Sequence, residues 1–282
     1  MLSPEEFVAY CGLALSQGIL VLLPRPAASA RWGRLRSPAW ALVLPVSLMI
    51  GTFGVLDVPH GATELGVVAA LATPVFVVVA VFTVVRGPRW AWLAALPVLA
   101  AGVALHWPPQ LAATLLTALG CLTVAAALVR LTPLPWLAAG IAAMCVVDVV
   151  LLGAGVGAPA AHQLEIALKH SPLPEFHRAQ IGSMNRDYPD LVLAAVLGTA
   201  LAGHARQLTA AVLVTVLASA NGLFFLFADI LPGTAPLALA AVAVLVLERR
   251  RGTVRRPVLK DRRPRVLEGS PGQPVAAQPM EA

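Results

Sequence analysis

"MCVVDVVLLG", Met144 to Gly153, places one carboxylate, Asp148, inside an apolar run of the kind that crosses a bilayer. About 20 apolar residues span the ~30 Å of hydrocarbon as a helix, and the run extends back far enough to fill 135–155. An ionised carboxylate at the centre of such a segment costs at least ~2.5 kcal/mol on insertion scales, so it marks a cavity, a partner or a substrate path. The plainer alternative is a protonated Asp bonded to a neighbouring helix.

The same length criterion, carried outward from this stretch, finds nine candidate spans: 6–23, 39–57, 65–86, 89–106, 110–130, 135–155, 190–205, 207–228 and 234–249. The expected fold is all-α, a polytopic membrane protein of about nine transmembrane helices filling residues 1–249. Composition agrees, because 59% of the 282 residues are hydrophobic and only 12% are charged, about half the charge content of a soluble domain. The third and fourth spans are separated by "RGPR" and the seventh and eighth by "GHARQ", so both pairs are expected to form tight hairpins.

The acidic start "MLSPEE" and the lack of a small-residue cleavage site argue against a removable signal peptide. With the N-terminus outside, the inner segments hold 17 of the 20 Lys and Arg residues. Lys169, Arg178 and Arg186 remain outside, and the positive-inside rule therefore favours a cytoplasmic C-terminus. The Arg- and Ala-rich composition suggests a bacterial source, hence the inner (plasma) membrane. Residues 250–282, rich in Arg, Pro and Gly, read as a disordered basic tail on the cytoplasmic side.

The net charge of +6 resides mostly in segment flanks and tail, and no basic stripe alternates with exposed aromatics, so no nucleic-acid partner is expected. The expected partners are the lipid bilayer and transmembrane helices. Cys11, Cys121 and Cys145 lie in apolar runs without CxxC spacing, which indicates packing residues. One long connection, 156–189, lies outside; "AHQLEIALKH" reads as an amphipathic helix and the remainder as an irregular return.

A second carboxylate, Asp190, opens the seventh span in "NRDYPDLVLAAV", with Asp187 three residues earlier. Alone, Asp190 reads as a helix-capping or dipole-complementing residue. Paired with Asp148 it reads differently. Both sit toward the outer ends of consecutive helices, and two carboxylates that approach closely divide into a base that activates water and an acid that protonates a carbonyl.

Nine spans, an Asp in the sixth, an Asp opening the seventh and the Pro-containing "GTAPLALAA" at the ninth together resemble the presenilin and signal peptide peptidase family of intramembrane aspartyl proteases. In that family the first Asp follows a Tyr, where Val147 stands here. The second closes Gly-x-Gly-Asp, where this chain has Asp187 and Pro189, and the third motif is Pro-Ala-Leu, where this chain reads Pro-Leu-Ala at Pro236, Leu237 and Ala238. The resemblance implies a catalytic Asp148/Asp190 dyad, substrate contacts at Pro236, Leu237 and Ala238, no metal and no cofactor, and transmembrane or signal-peptide helices as substrates. The type IV prepilin peptidases fit less well, since their cytoplasmic features are absent.

Two other classes compete: a proton-coupled transporter, although no inverted repeat is evident, and a catalytically silent scaffold that binds membrane helices. The external His60, His106, His162, His170 and His177, with Glu64, Glu165 and Glu175, raise a metal site as an alternative, without a tight ligand spacing to support it. Gln17 and Asn221, polar within spans, are expected to bond across helices.

Overall fold

The computed structural model describes residues 3–26, 33–85, 87, 89–104, 109–169, 174–176, 178–224 and 232–252, and the tail expected at 250–282 lies outside them beyond Gly252. Met1–Val246 forms one compact unit; of the second, Leu247–Ala282, the described residues are helical.

The chain is mostly helical. Helix α1 runs Pro4–Leu22, and a 3-10 turn at Pro38–Leu42 leads directly into α2 (Val43–Asp57). There follow α3 (Gly61–Thr83), α4 (Arg89–Ala104), α5 (Pro109–Leu131), α6 (Leu134–Gly153) and α7 (Gly157–Lys169). Strands β1 (Arg178–Ile181) and β2 (Met184–Asp187) precede α8 (Tyr188–Ala200), α9 (Gln207–Leu223) and α10 (Ala235–Gly252). Local chemistry sets the ends. Ser3 accepts from the Glu6 N–H at 3.2 Å while the Glu6 carboxylate accepts from the Ser3 N–H at 2.8 Å, a capping box, and Pro4 occupies the first turn.

Among the described residues, five helices are long and apolar enough to cross a membrane by length and composition: Pro4–Leu22, Pro38–Asp57, Gly61–Thr83, Gln110–Leu131 and Leu134–Gly153. The apolar stretches of α4, α8, α9 and α10 are shorter. The seventh expected segment ends at Ala200 rather than 205, so α8 is only about 20 Å long. Its last turns give way to a reversal in which Gly203 takes φ +82° and the His204 N–H bonds the Leu201 carbonyl. The outer faces suit lipid. On α3, Val68, Leu71, Val75 and Val78 recur at helical spacing and are exposed, with Leu71 at 71%; water would disfavour such a stripe.

The core centres on α8, whose residues from Asp190 to Thr199 are all buried. It packs on α1 and α5, and α1 packs on α9. Close approach depends on glycine. A Cβ at Gly198 would lie 2.5 Å from the Val21 Cα and 2.9 Å from the Leu20 carbonyl, and one at Gly18 would overlap the Thr215 side chain. Small residues of this kind let membrane helices approach closely without an aqueous hydrophobic drive.

The connection between α6 and α8 departs from the irregular return expected over its second half. Arg178–Ile181 and Met184–Asp187 pair antiparallel, joined by a two-residue turn in which Gly182 takes φ +61°. Ala179, Ile181 and Met184 face the hydrophobic core. The outer edge of β1 is satisfied by α5: the Thr114 hydroxyl both donates to the Gln180 carbonyl at 3.1 Å and accepts from its N–H at 2.9 Å. The Thr117 hydroxyl donates to the Phe176 carbonyl. A four-residue strand with polar Gln, Asn, Arg and Asp offers too short an alternation to reveal itself in sequence.

Candidate functional site

Asp148 sits on α6 and is half-buried. Its Oδ2 accepts a hydrogen bond from the Thr234 hydroxyl at 2.7 Å and a longer one, 3.4 Å, from the Thr234 backbone N–H. Thr234 stands one residue before α10, and its carbonyl accepts from the Ala238 N–H at 3.0 Å. Its hydroxyl thus serves Asp148 rather than capping its own helix.

Asp190 lies in the first turn of α8, 6% exposed, where the helix N-terminus favours a negative group. Strand β2 runs without a loop into this helix, Asp187 ending the strand and Pro189 sitting in the first turn. The neighbour on the other side is Gly233: a Cβ there would overlap the Asp190 carboxylate, with its Oδ1 2.8 Å away. Consecutive residues Gly233 and Thr234 therefore abut the two carboxylates, one each. Asp148, Asp187 and Asp190 lie within electrostatic range of one another.

Cations offset this negative charge. Arg186 on β2 is buried and its Nη1 is 3.4 Å from Asp190 Oδ2. Its Nη2 donates to the Tyr10 hydroxyl, and the guanidinium stands over the Tyr10 ring at 4.4 Å from the centroid. Asn221 of α9 donates to the same hydroxyl at 3.2 Å. Arg178, paired across the hairpin with Asp187, is clamped by Glu175 at 2.7 Å and reaches Glu165 on α7 at 3.8 Å.

Sequence order suggests that α6 and α8 are neighbours in the packing. The structure instead seats α6 on α2 and the Pro38–Leu42 turn, and α8 on α1 and α5, and sets their carboxylates against the consecutive residues Thr234 and Gly233. The long α7-hairpin connection frees the two helices from the adjacency that a short loop would impose. Pro236 and Leu237 are buried in the first turn of α10 and Ala238 is partly exposed, all within four residues of Thr234.

Asn221 bonds across helices, whereas Gln17, also expected to do so, is fully buried with both side-chain polar atoms unpartnered among the described residues. Among the described residues no three of His, Cys, Asp and Glu converge as a metal set; His106, His170 and His177 lie outside those residues. Tyr10, Arg186, Gly233 and Thr234 escaped sequence reasoning. The available signals were faint: Arg186 stands four residues before Asp190, and Tyr10 is one of two tyrosines in the chain.

Comparison with family models, curated proteins and solved structures finds no match to this chain.

Proposed function

We propose that the chain is an intramembrane aspartyl protease of the presenilin and signal peptide peptidase type, with Asp148 and Asp190 as its catalytic pair. The observation that carries this function is the seating of the two carboxylates, from helices far apart in sequence, against consecutive residues Gly233 and Thr234. That segment opens α10 and leads into Pro236, Leu237 and Ala238, the proposed substrate contacts.

The mechanism follows from the chemistry of paired carboxylates in lipid. A substrate helix satisfies all its backbone groups internally and must unwind locally before a peptide bond can be attacked. The backbone before Asp190, already extended as β2, and that at the start of α10 offer replacement hydrogen bonds for the unwound stretch. One carboxylate takes a proton from water as that water attacks the scissile carbonyl carbon. The other gives a proton to the carbonyl oxygen, and collapse of the resulting gem-diol expels the amine with a returned proton. Neither step calls for a metal or a cofactor.

In this account all nine apolar helices cross a bacterial plasma membrane, the N-terminus outside and the C-terminus cytoplasmic. Substrates then enter as helices with their N-termini inside. The test is cleavage of a reporter transmembrane peptide by the purified full-length chain in proteoliposomes, with Asp148→Asn and Asp190→Asn in parallel; cleavage by the parent chain and by neither variant is the expected result.

A further inference from the structure

The Asp190 carboxylate is held from two directions: Gly233 closes one side and the Arg186 guanidinium grips the other. Arg186 is in turn fixed by the Tyr10 hydroxyl and ring, and that hydroxyl by Asn221. The chain Asn221–Tyr10–Arg186–Asp190 therefore ties four elements, α9, α1, β2 and α8, at one point. Gly222, beside Asn221, makes room for it, since a Cβ there would lie 2.5 Å from the Tyr10 ring.

As a stability device the arrangement is poor. Arg186 Nε is buried with no hydrogen-bond partner among the described residues, so the guanidinium surrenders hydration that the protein only partly replaces. Buried ion pairs of this kind seldom gain over apolar packing of similar volume, and an unpartnered buried donor adds a further cost. What the planar, forked guanidinium does supply is direction, because its Nη1 and Nη2 fix the angle between Asp190 and Tyr10.

We propose that Arg186, oriented by Tyr10 and Asn221, is a positioning residue that sets where the Asp190 carboxylate stands relative to Asp148 and so governs the turnover step. This rests on the aspartyl protease function proposed above. Reacting groups displaced by about 1 Å lose on the order of a hundred-fold in rate, so a positioning residue acts on kcat and leaves KM nearly alone.

The experiment uses the full-length chain in proteoliposomes with Tyr10→Phe, Arg186→Gln, Arg186→Lys and the double variant Tyr10→Phe/Arg186→Gln. Steady-state cleavage of the reporter peptide and amide exchange across 178–191 are both measured. Tyr10→Phe keeps the ring and loses the hydroxyl, so kcat falls about ten-fold with KM within about two-fold. Arg186→Gln falls about a hundred-fold, Arg186→Lys recovers part of that loss, and the double variant is no worse than Arg186→Gln alone, as for groups acting through one chain. Exchange across 178–191 rises in both Tyr10→Phe and Arg186→Gln, because β2 loses its tether. An unchanged kcat in Tyr10→Phe, additive losses in the double variant, or a change confined to KM each overturns the proposal; should Arg186→Gln fail to fold, Tyr10→Phe decides alone. If the parent chain does not cleave while exchange still rises, the protease function fails and the tether stands without a catalytic role.

Discussion

The Thr234 hydroxyl donates to Asp148 Oδ2 at 2.7 Å, joining the residue before α10 to a carboxylate toward the C-terminal end of α6. Removing that donor while keeping the side-chain shape isolates its effect. Thr234→Val is expected to lower cleavage about ten-fold, since a hydrogen bond to a charged or charge-sharing group contributes about 1.5–3 kcal/mol. Thr234→Ser retains the hydroxyl and restores most of the rate, and equal rates in all three chains would remove Thr234 from the site.

Gly233 occupies the corresponding place beside Asp190, where any Cβ meets the carboxylate. Gly233→Ala is predicted to displace Asp190 or the start of α10 and to reduce cleavage by about a hundred-fold. The accompanying loss of stability is about 1–3 kcal/mol, the usual cost of overpacking. Steady-state kinetics and thermal unfolding in the same detergent separate the two effects.

At Gly198 the close contact is structural. Its Cβ would press on the Val21 and Leu20 backbone, so Gly198→Ala forces α8 away from α1 and destabilises the fold by about 1–3 kcal/mol. The equivalent change at Gly51, where an added Cβ meets nothing within 4 Å, is expected to be close to neutral and serves as the control in unfolding measurements.

The hairpin leans on one α5 side chain for its edge. Thr114→Val strips the Gln180 N–H and carbonyl of their partner, which costs about 1–3 kcal/mol when such groups are left buried and unpaired. Amide exchange at Gln180 should quicken selectively, with the α1–α9 pair unaffected.

Much of the helical layout is legible from hydropathy alone, because outward-facing and core-facing residues are both apolar and a helix lets each long apolar run satisfy its own backbone. Helix α6 around Asp148 illustrates this. The hairpin was not legible, since Arg178–Asp187 is short, polar and interrupted by Gly182. The partners of the two carboxylates were hidden for another reason. Tyr10, Arg186 and Thr234 reach the site from α1, β2 and the start of α10, and only tertiary packing joins segments so distant in sequence. Gln17 shows the opposite failure: a polar residue in an apolar helix promises a cross-helix bond, yet its buried side chain has none among the described residues.

The central claim is that Asp148 and Asp190 act together as one catalytic pair. Its most direct measurement is the rate of cleavage of a reporter transmembrane peptide by the full-length chain and by Asp148→Asn, Asp190→Asn and the double variant, all reconstituted in proteoliposomes. The account predicts that each single variant loses essentially all activity and that the double variant is no slower, because members of a catalytic unit are not additive. Cleavage undiminished in either single variant would contradict it.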